Sequence, residues 1–247
     1  MRPALLILLS FNLFSCASYF KRQSCESTNW FDYGKKVALE GRRLTGDQFI
    51  VECQKADADI SASILDQGFK AGMQIYCTPE GIYKVGREGN FFNTEMCEGN
   101  GLNTLKSRHA TGVNEYCQKA NGYSAGTVGN PYNKICPVSL ERDFLPEFNR
   151  GRLKYLQTII SQNQNQIRDY EQKSSSAQSQ LAYKRVTLSQ MQSRAAQSTD
   201  KDWAQRASQL NSEVNTLSYE VRSYHSKIED LKAKNRAYEI EAVRLGQ

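Results

Sequence analysis

Cysteine is the residue type with the widest chemical repertoire in this chain of 247 residues, which contains seven cysteines and two histidines. Cysteines can pair as disulfides in an oxidising compartment, and clusters of cysteine and histidine can bind zinc. Zinc sites commonly contain two cysteines separated by two residues, and no pair of cysteines here has that spacing. With Cys16 set aside, an even set remains, so we expect disulfides among Cys25, Cys53, Cys77, Cys97, Cys117 and Cys136.

Residues that could act as acids, bases or nucleophiles do not form a recognisable catalytic set. The histidines, His109 and His225, lie in polar surroundings where solvation explains them as well as catalysis does. Two pairs of closely spaced carboxylates are equally consistent with helix capping and loop solvation: Asp57 with Asp59, and Glu141 with Asp143. We therefore predict no catalytic residue, no cofactor and no metal site, and a protein that is not an enzyme.

The N-terminus has the order of a secretory signal that ends at a modifiable cysteine. Arg2 supplies a positive charge, residues 4–14 form an apolar run too short to span a bilayer, and a serine precedes Cys16. This order resembles the signal of bacterial lipoproteins, which implies removal of residues 1–15, a diacylglycerol on the Cys16 sulfur and a fatty acid such as palmitate on its amine. An ordinary signal peptide or a buried helix is the alternative. Because Ala17 is not the aspartate that retains such proteins in the inner membrane, we expect a lipid anchor in the outer membrane, with the protein facing the periplasm.

Composition divides the rest of the chain into two segments. Residues 16–147 contain the other cysteines and most glycines and aromatic residues, whereas residues 148–247 contain neither cysteine nor proline. The second segment has 16 Lys and Arg against 10 Asp and Glu, which accounts for the net charge of +6. Because basic and acidic residues interleave and export is expected, we interpret this excess as a solvated helix face and predict no nucleic-acid partner.

Two stretches of the cysteine-rich segment, about 68–97 and 108–136, repeat one pattern. Matching positions are Gly72 with Gly112, Tyr76-Cys77 with Tyr116-Cys117, Tyr83 with Tyr123, Gly86 with Gly126, Gly89 with Gly129 and Asn93 with Asn133. Each copy closes with a second cysteine, so a bridge within each copy is the simplest pairing. We predict the bridges Cys77–Cys97 and Cys117–Cys136, which leaves Cys25–Cys53.

Local signals predict short helices in this segment. Residues 64–76 have apolar side chains at helical spacing, residues 30–41 resemble a second short helix, and Thr78 before Pro79 has the pattern of an N-cap with proline in the first turn. A Gly-rich hairpin across residues 81–93 is the alternative for the following stretch. Because short helices bury little apolar surface, we expect a small, loop-rich helical module that depends on its disulfides.

Several motifs of the cysteine-rich segment carry a family resemblance. They are Trp30–Gly34 (WFDYG), Gly68–Gly81 (GFKAGMQIYCTPEG), Cys136-Pro137, Phe144 and Phe148–Arg152 (FNRGR). Over roughly residues 25–155 these motifs resemble a bacterial lipoprotein family of unknown function, Domain of Unknown Function 2799. The resemblance implies a small envelope lipoprotein without an assigned activity. The chain departs from the family pattern by duplicating the Tyr-Cys…Cys unit and by adding a long C-terminal extension.

From Leu153 onward, apolar residues recur at alternating intervals of three and four, which is typical of coiled coils. One stripe covers residues 153–195 and another covers residues 203–245, and the two are out of phase by one residue. The first stripe contains Asn163, Ser174 and Lys184, which we expect to weaken it or to mark a place where a partner docks.

A turn near residues 197–200 explains this change of phase, with Thr199 as the N-cap of the second helix. The two stripes can then cover each other in an antiparallel hairpin. One continuous helix that dimerises in parallel is the alternative, so the chain is expected to be a monomer or a coiled-coil oligomer. The predicted fold class is mostly α, with a small disulfide-stapled helical module followed by a long antiparallel coiled-coil hairpin.

These features favour a binding or structural role over catalysis. We expect a membrane-anchored envelope lipoprotein that acts as a non-catalytic binding, scaffold or spacer protein, with an envelope protein or peptidoglycan as its partner. The alternatives are an adaptor of an envelope export assembly and a regulator or enzyme of peptidoglycan remodelling. These hypotheses rest on architecture, which does not determine function.

Overall fold

The computed structural model describes residues 21–97, 99, 101–197 and 201–246. The predicted signal peptide, the predicted lipidation site Cys16 and the predicted turn residues 198–200 lie outside these described residues. All regular secondary structure in the described part of the chain is helical, as the predicted fold class requires.

The helices follow one another through short connections. Helix α1 covers residues 21–26, and a 3₁₀ turn, η1, covers Thr94–Met96. The other helices are α2 (Trp30–Leu39), α3 (Gln48–Lys55), α4 (Ala62–Tyr76), α5 (Pro79–Arg87), α6 (Leu102–Tyr116), α7 (Lys119–Thr127), α8 (Val138–Gln197) and α9 (Lys201–Leu245).

The chain forms two compact units whose boundary differs in detail from the predicted one. The first unit contains the residues up to Gly122 together with Pro131–Leu145, and the second contains Tyr123–Asn130 together with Pro146–Gln247. The predicted boundary after residue 147 lies two residues from the observed one. The composition of the sequence did not indicate that residues 123–130 belong to the second unit.

Side chains at several helix starts accept hydrogen bonds from the free amides of the first turn. These N-caps are Asn29 of α2, Asp47 of α3 and Thr78 of α5. The Thr78 hydroxyl oxygen accepts a hydrogen bond from the Gly81 amide at 3.0 Å, with Pro79 in the first helical turn. The predicted cap at Thr78 is therefore confirmed, and the alternative of a hairpin across residues 81–93 is wrong, because α5 occupies most of that stretch.

Two small apolar cores formed by described residues lie in the first unit, and each of them includes disulfide-bonded cysteine. The first core consists of Trp30, Ile50 and Leu65 around Cys25 and Cys53. The second consists of Tyr76, Ile82, Met96 and Leu105 around Cys97. A core of this size contributes about 3–5 kcal/mol to the free energy of unfolding of a small domain. The disulfides are therefore expected to contribute much of the stability of this unit.

Glycine lets helices of the first unit approach each other backbone to backbone. Between α5 and α6, a Cβ atom on Gly86 would lie 2.3 Å from the carbonyl oxygen of His109. A Cβ atom on Gly112 would lie 2.2 Å from the carbonyl oxygen of Tyr83. Helices α2 and α4 approach in the same way at Gly34, Gly68 and Gly72.

A third close helix contact of this kind lies within the second unit. Cβ atoms on Gly126 and Gly151 would each lie 2.1 Å from a backbone carbonyl oxygen of the facing helix, that of Phe148 and that of Tyr123 respectively. Helices α7 and α8 therefore repeat the contact seen between α5 and α6. The helix pair therefore occurs in three copies. The third begins with α7, inside the loop closed by Cys117–Cys136, but no cysteine follows the tyrosine of its second helix.

Each of the three helix pairs places a glycine with positive φ against a tyrosine ring. Gly41 (φ 66°) lies against Tyr76, Gly89 (φ 73°) against Tyr116 and Gly129 (φ 98°) against Tyr155. In each pair, the tyrosine follows a close-contact glycine by four residues, as in Gly72 and Tyr76. This glycine-to-tyrosine spacing is the sequence signal by which the third copy could be found.

Helices α8 and α9 of the second unit pack side by side in antiparallel orientation. Asn163 of α8 contacts Asn235 of α9, whereas Lys184, which is later in α8, contacts Glu213, which is earlier in α9. The predicted antiparallel hairpin is therefore confirmed for the described parts of both helices. Its buried residues follow the two predicted stripes and include Leu181, Leu188, Ala207 and Val214.

Helix α8 begins earlier than the sequence predicts. It starts at Val138, directly after Pro137, and continues through Pro146 to Gln197. A proline inside a helix removes one backbone hydrogen bond, and α8 tolerates this loss at Pro146. Periodicity does not give the start of α8, because the regular apolar stripe begins only at Leu153, whereas Phe144 in an earlier turn packs against Tyr116.

Candidate functional site

The three disulfides lie in the first unit and are those that the sequence repeat predicts. Cys25 pairs with Cys53, Cys77 with Cys97, and Cys117 with Cys136. Cys25, Cys53 and Cys117 are fully buried, and Cys136 is 8% exposed. Cys77 differs from these residues because its side chain is only partly buried.

A groove of about 650 Å³ opens beside the Cys77–Cys97 bridge. Both cysteines line the groove, together with the apolar residues Leu44, Phe69, Met73 and Met96. Charged side chains lie at its rim, where Arg43 forms an ion pair with Glu95 at 2.9 Å and Asp66 adds a second carboxylate. The groove thus joins an apolar wall, a partly exposed disulfide and a rim of paired charges.

Asp47 is the most highly connected buried carboxylate in the described part of the first unit. It is 5% exposed and accepts hydrogen bonds from the Tyr33 hydroxyl at 2.6 Å, the Ile50 amide at 3.1 Å and the Arg42 guanidinium at 2.7 Å. Burial raises the pKa of Asp47, but these three donors outweigh burial and bring its pKa below the ordinary value. Burial and the hydrogen bond to Asp47 raise the pKa of Tyr33 to about 12. The cluster joins α2, the following loop and α3.

The carboxylates that the sequence singled out do not form acid–base pairs. Glu141 accepts a hydrogen bond from the Tyr132 hydroxyl at 2.9 Å, whereas Asp143 contacts Arg142 at 3.5 Å. Burial and the hydrogen bond to Glu141 raise the pKa of Tyr132 to about 12. In the other pair, Asp57 has a positive φ of 50° directly after the C-terminal cap of α3. Glu141 and Asp143 therefore contact different partners, and Asp57 lies in the turn that ends α3.

The two histidines lie in different helices, His109 in α6 and His225 in α9, and make different contacts. His109 hydrogen bonds through Nε2 to the carbonyl oxygen of Asn90 at 2.8 Å and packs against Phe92. His225 contacts Gln178 across the hairpin at 3.1 Å. Neither histidine contacts a cysteine or a carboxylate in these interactions, so each acts as a local link between neighbouring segments.

Polar residues inside the hairpin are paired with each other. The Asn163 amide donates a hydrogen bond to the Asn235 side-chain oxygen at 2.7 Å, and both residues are 6% exposed. Lys184 forms an ion pair with Glu213 at 2.5 Å. These contacts account for Asn163 and Lys184 in the first stripe, whereas the Ser174 hydroxyl accepts a hydrogen bond from Gln178 of the same helix at 3.2 Å. Buried asparagine pairs commonly fix the register of a coiled coil.

Arg152 holds the C-terminal part of α9 within the second unit. Its guanidinium binds both carboxylate oxygens of Glu241, at 2.6 and 3.0 Å, and donates a further hydrogen bond to the Gly129 carbonyl oxygen. It also packs over the ring of Tyr155 at 5.1 Å. Arg152 is 6% exposed, and two-point contacts of this kind are among the stronger ion pairs. The sequence placed Arg152 in the FNRGR motif but gave it no role.

The described residues contain no group of three or more His, Cys, Asp or Glu side chains arranged to hold a metal ion. Among the same residues, no helix combines the length and apolar character needed to cross a membrane.

Comparison with known proteins gives one match. The model of a family described as Protein of unknown function (DUF2799) matches residues 29–112 and, a second time, residues 102–153. The two matched stretches overlap in α6, which agrees with the repeated helix pairs. No curated protein and no solved structure matches the chain.

Proposed function

The chain belongs to the family described as Protein of unknown function (DUF2799), and from its stapled helical unit and its long hairpin we propose a scaffold of the bacterial envelope. In this proposal, Cys16 carries lipid that anchors the protein in the outer membrane, facing the periplasm. The protein then acts without catalysis, as a spacer or as a surface that binds another envelope component.

The observation that supports this proposal best is the closed hairpin. Helix α9 buries its apolar stripe against α8, so the hairpin does not require a partner to cover it. At a rise of about 1.5 Å per residue, the 45 residues of α9 span about 70 Å. A helical rod of this length with a mostly polar outer surface is well suited to spacing or to holding a partner.

The disulfides support the proposed compartment. Three bridges in one unit are typical of proteins that fold outside the reducing cytoplasm. The lipoprotein-like signal before Cys16 gives a second, independent argument for export.

The lipid anchor is tested with the full chain and a Cys16→Ala variant. We expect the native protein to fractionate with outer membranes and to show, by intact mass, removal of residues 1–15 and addition of acyl chains. The Cys16→Ala variant should lack the acyl mass and leave the membrane fraction. Native protein that keeps its initial methionine and stays in the soluble fraction would contradict the proposed anchor.

The scaffold role is tested by photo-cross-linking in cells. A cross-linking residue at Tyr183 or Tyr219, which are 74% and 67% exposed, should capture a discrete envelope component. The same residue at Leu188, which is 8% exposed in the hairpin core, is the matched control and should capture nothing beyond its own chain. Release of soluble fragments from purified peptidoglycan by the purified full chain would contradict a non-catalytic role.

A further inference from the structure

We propose that the Cys77–Cys97 bridge is a thiol–disulfide exchange site that a dithiol reaches through the adjacent groove. This bridge has a counterpart in the second copy of the repeat, Cys117–Cys136. The two bridges close copies of one unit and have sequence separations of 20 and 19 residues. The two bridges therefore share a local fold, and a difference in their reactivity would reflect the surroundings of the cysteines.

The first cysteine of each bridge differs in exposure between the two copies, whereas the second is nearly buried in both, with Cys97 5% and Cys136 8% exposed. Cys77 is partly exposed and lines the 650 Å³ groove, whereas its counterpart Cys117 is fully buried. Next to Cys117, Tyr116 packs against Phe144, which is itself fully buried. A disulfide is reduced by direct attack of a thiolate on sulfur, so the bridge with the partly exposed cysteine, Cys77, is the one that a thiolate should reach without prior unfolding.

The reaction balances with a dithiol as the only co-reactant. A thiolate of the dithiol attacks the Cys77 sulfur, the bond to Cys97 breaks, and Cys97 leaves as a thiolate that takes up a proton. The second thiol of the reagent then attacks the mixed disulfide and releases Cys77. Two electrons pass to the protein, which gains two thiols, and the reagent leaves as a disulfide.

Contacts that do not involve the bridge hold the segment before Cys97 in place after reduction. The Asn93 amide side chain donates a hydrogen bond to the Gly41 carbonyl oxygen at 2.9 Å, and the Asn93 backbone donates to the Tyr76 hydroxyl at 3.1 Å. Met96 is buried in the second core. Reduction should therefore loosen this segment without unfolding the unit, which is the behaviour of a reversible switch.

The test is differential alkylation of the purified full chain in its native state. The chain is treated with dithiothreitol for increasing times, quenched with one alkylating reagent, then denatured, reduced and labelled with an isotopic variant of that reagent. Peptide mass analysis gives a rate for each bridge. We expect Cys77–Cys97 to open at least roughly tenfold faster than Cys117–Cys136 and Cys25–Cys53, because buried sulfurs react only after opening of the structure. Equal rates for the three bridges would overturn the proposal.

A charge variant tests whether the groove is the route of attack. Glu95→Gln removes a carboxylate from the rim and frees Arg43, so an anionic thiolate should meet less repulsion. We expect reduction of Cys77–Cys97 to accelerate roughly two- to threefold, with the rate of Cys117–Cys136 unchanged. Glu88→Gln is the matched control, because Glu88 lies outside the lining of this groove. An unchanged rate in Glu95→Gln would place the attack elsewhere and would also overturn the proposal.

Discussion

At the scale of single residues, the buried charged and amide side chains Asp47, Arg152, Asn163 and Asn235 each have a specific partner, whereas the buried Trp30 Nε1 has none among the described residues. Asp47 illustrates this, because one carboxylate caps α3 and also receives the Tyr33 hydroxyl and the Arg42 guanidinium. A buried carboxylate with three donors is stabilised in its charged form. Removing it would leave Tyr33 and the start of α3 without a hydrogen-bond acceptor.

We expect Asp47→Ala to lower the free energy of unfolding by about 2–4 kcal/mol, since it removes an N-cap and leaves buried donors unpaired. Asp66→Ala is the matched control, because Asp66 is half exposed and pairs only with the exposed Lys70. Its effect should stay within about 0.5 kcal/mol. Urea denaturation measures the free energy of unfolding of both variants. Similar losses in the two would contradict a stabilising role of the hydrogen bonds to Asp47.

The same cluster predicts a dependence of stability on pH. Because the folded state lowers the pKa of Asp47, its contribution is present above the ordinary carboxyl pKa and is lost as pH falls through the lower folded value. The difference in unfolding free energy between the native chain and Asp47→Ala should therefore shrink below pH of about 4. A difference that stays constant from neutral pH to pH 2, by denaturant titration, would contradict this assignment.

At the scale of helices, two kinds of contact determine how neighbouring helices pack. Glycines bring the backbones of paired helices together, because any Cβ atom at Gly86, Gly112 or Gly126 would meet a carbonyl oxygen at 2.3 Å or less. In the hairpin, the spacing is set by side chains, and the pair Asn163–Asn235 lies among apolar residues. The glycine contacts set the distance between paired helices, and the asparagine pair sets the register of α8 against α9.

The asparagine pair gives a double-substitution test. Asn163→Leu alone leaves the buried side-chain oxygen of Asn235 without its donor and should lower the free energy of unfolding by about 1–3 kcal/mol, measured by thermal or urea unfolding. The double variant Asn163→Leu with Asn235→Leu should recover most of this loss, because two apolar side chains replace both partners. Additive losses in the double variant would mean that the two asparagines do not act as a pair.

At the scale of the whole molecule, the two compact units are stabilised in different ways. All three disulfides join residues of the first unit, which has small cores. The second unit has no disulfide, and it relies on the long contact between α8 and α9 and on the Arg152–Glu241 ion pair. Stability therefore depends on oxidation in one unit and on helix packing in the other.

Complete reduction and alkylation of the chain should affect the two units unequally. Each bridge contributes about 3 kcal/mol by restricting the unfolded chain, so the first unit should lose its amide protection against hydrogen exchange. Residues 156–191 and 207–238 of the hairpin should keep theirs, because their packing does not involve cysteine. Hydrogen exchange with peptide mass analysis measures both units in one sample, and equal loss of protection in the hairpin would refute this independence.

Particular residues show how far the sequence could predict this structure and where it could not. Heptad spacing predicted the hairpin, since the buried positions Leu181, Leu188 and Val214 follow from periodicity alone. The same periodicity could not give the start of α8, because the turns before Leu153 do not follow the heptad. The Cys77–Cys97 groove could not be predicted either, since it forms from residues separated by more than fifty positions, such as Arg43 and Cys97.

The sequence by itself determined the features that depend on local order along the chain: the helical class, the two coiled-coil stripes, the Thr78 cap and the pairing of cysteines within each repeat. Only the tertiary structure decided which side chains meet across long separations: Arg152 with Glu241, Asn163 with Asn235, and the close glycine contacts of α7 with α8. Local order fixes backbone conformation and periodicity, whereas burial and accessibility, including the different exposure of Cys77 and Cys117, arise only when distant segments pack together.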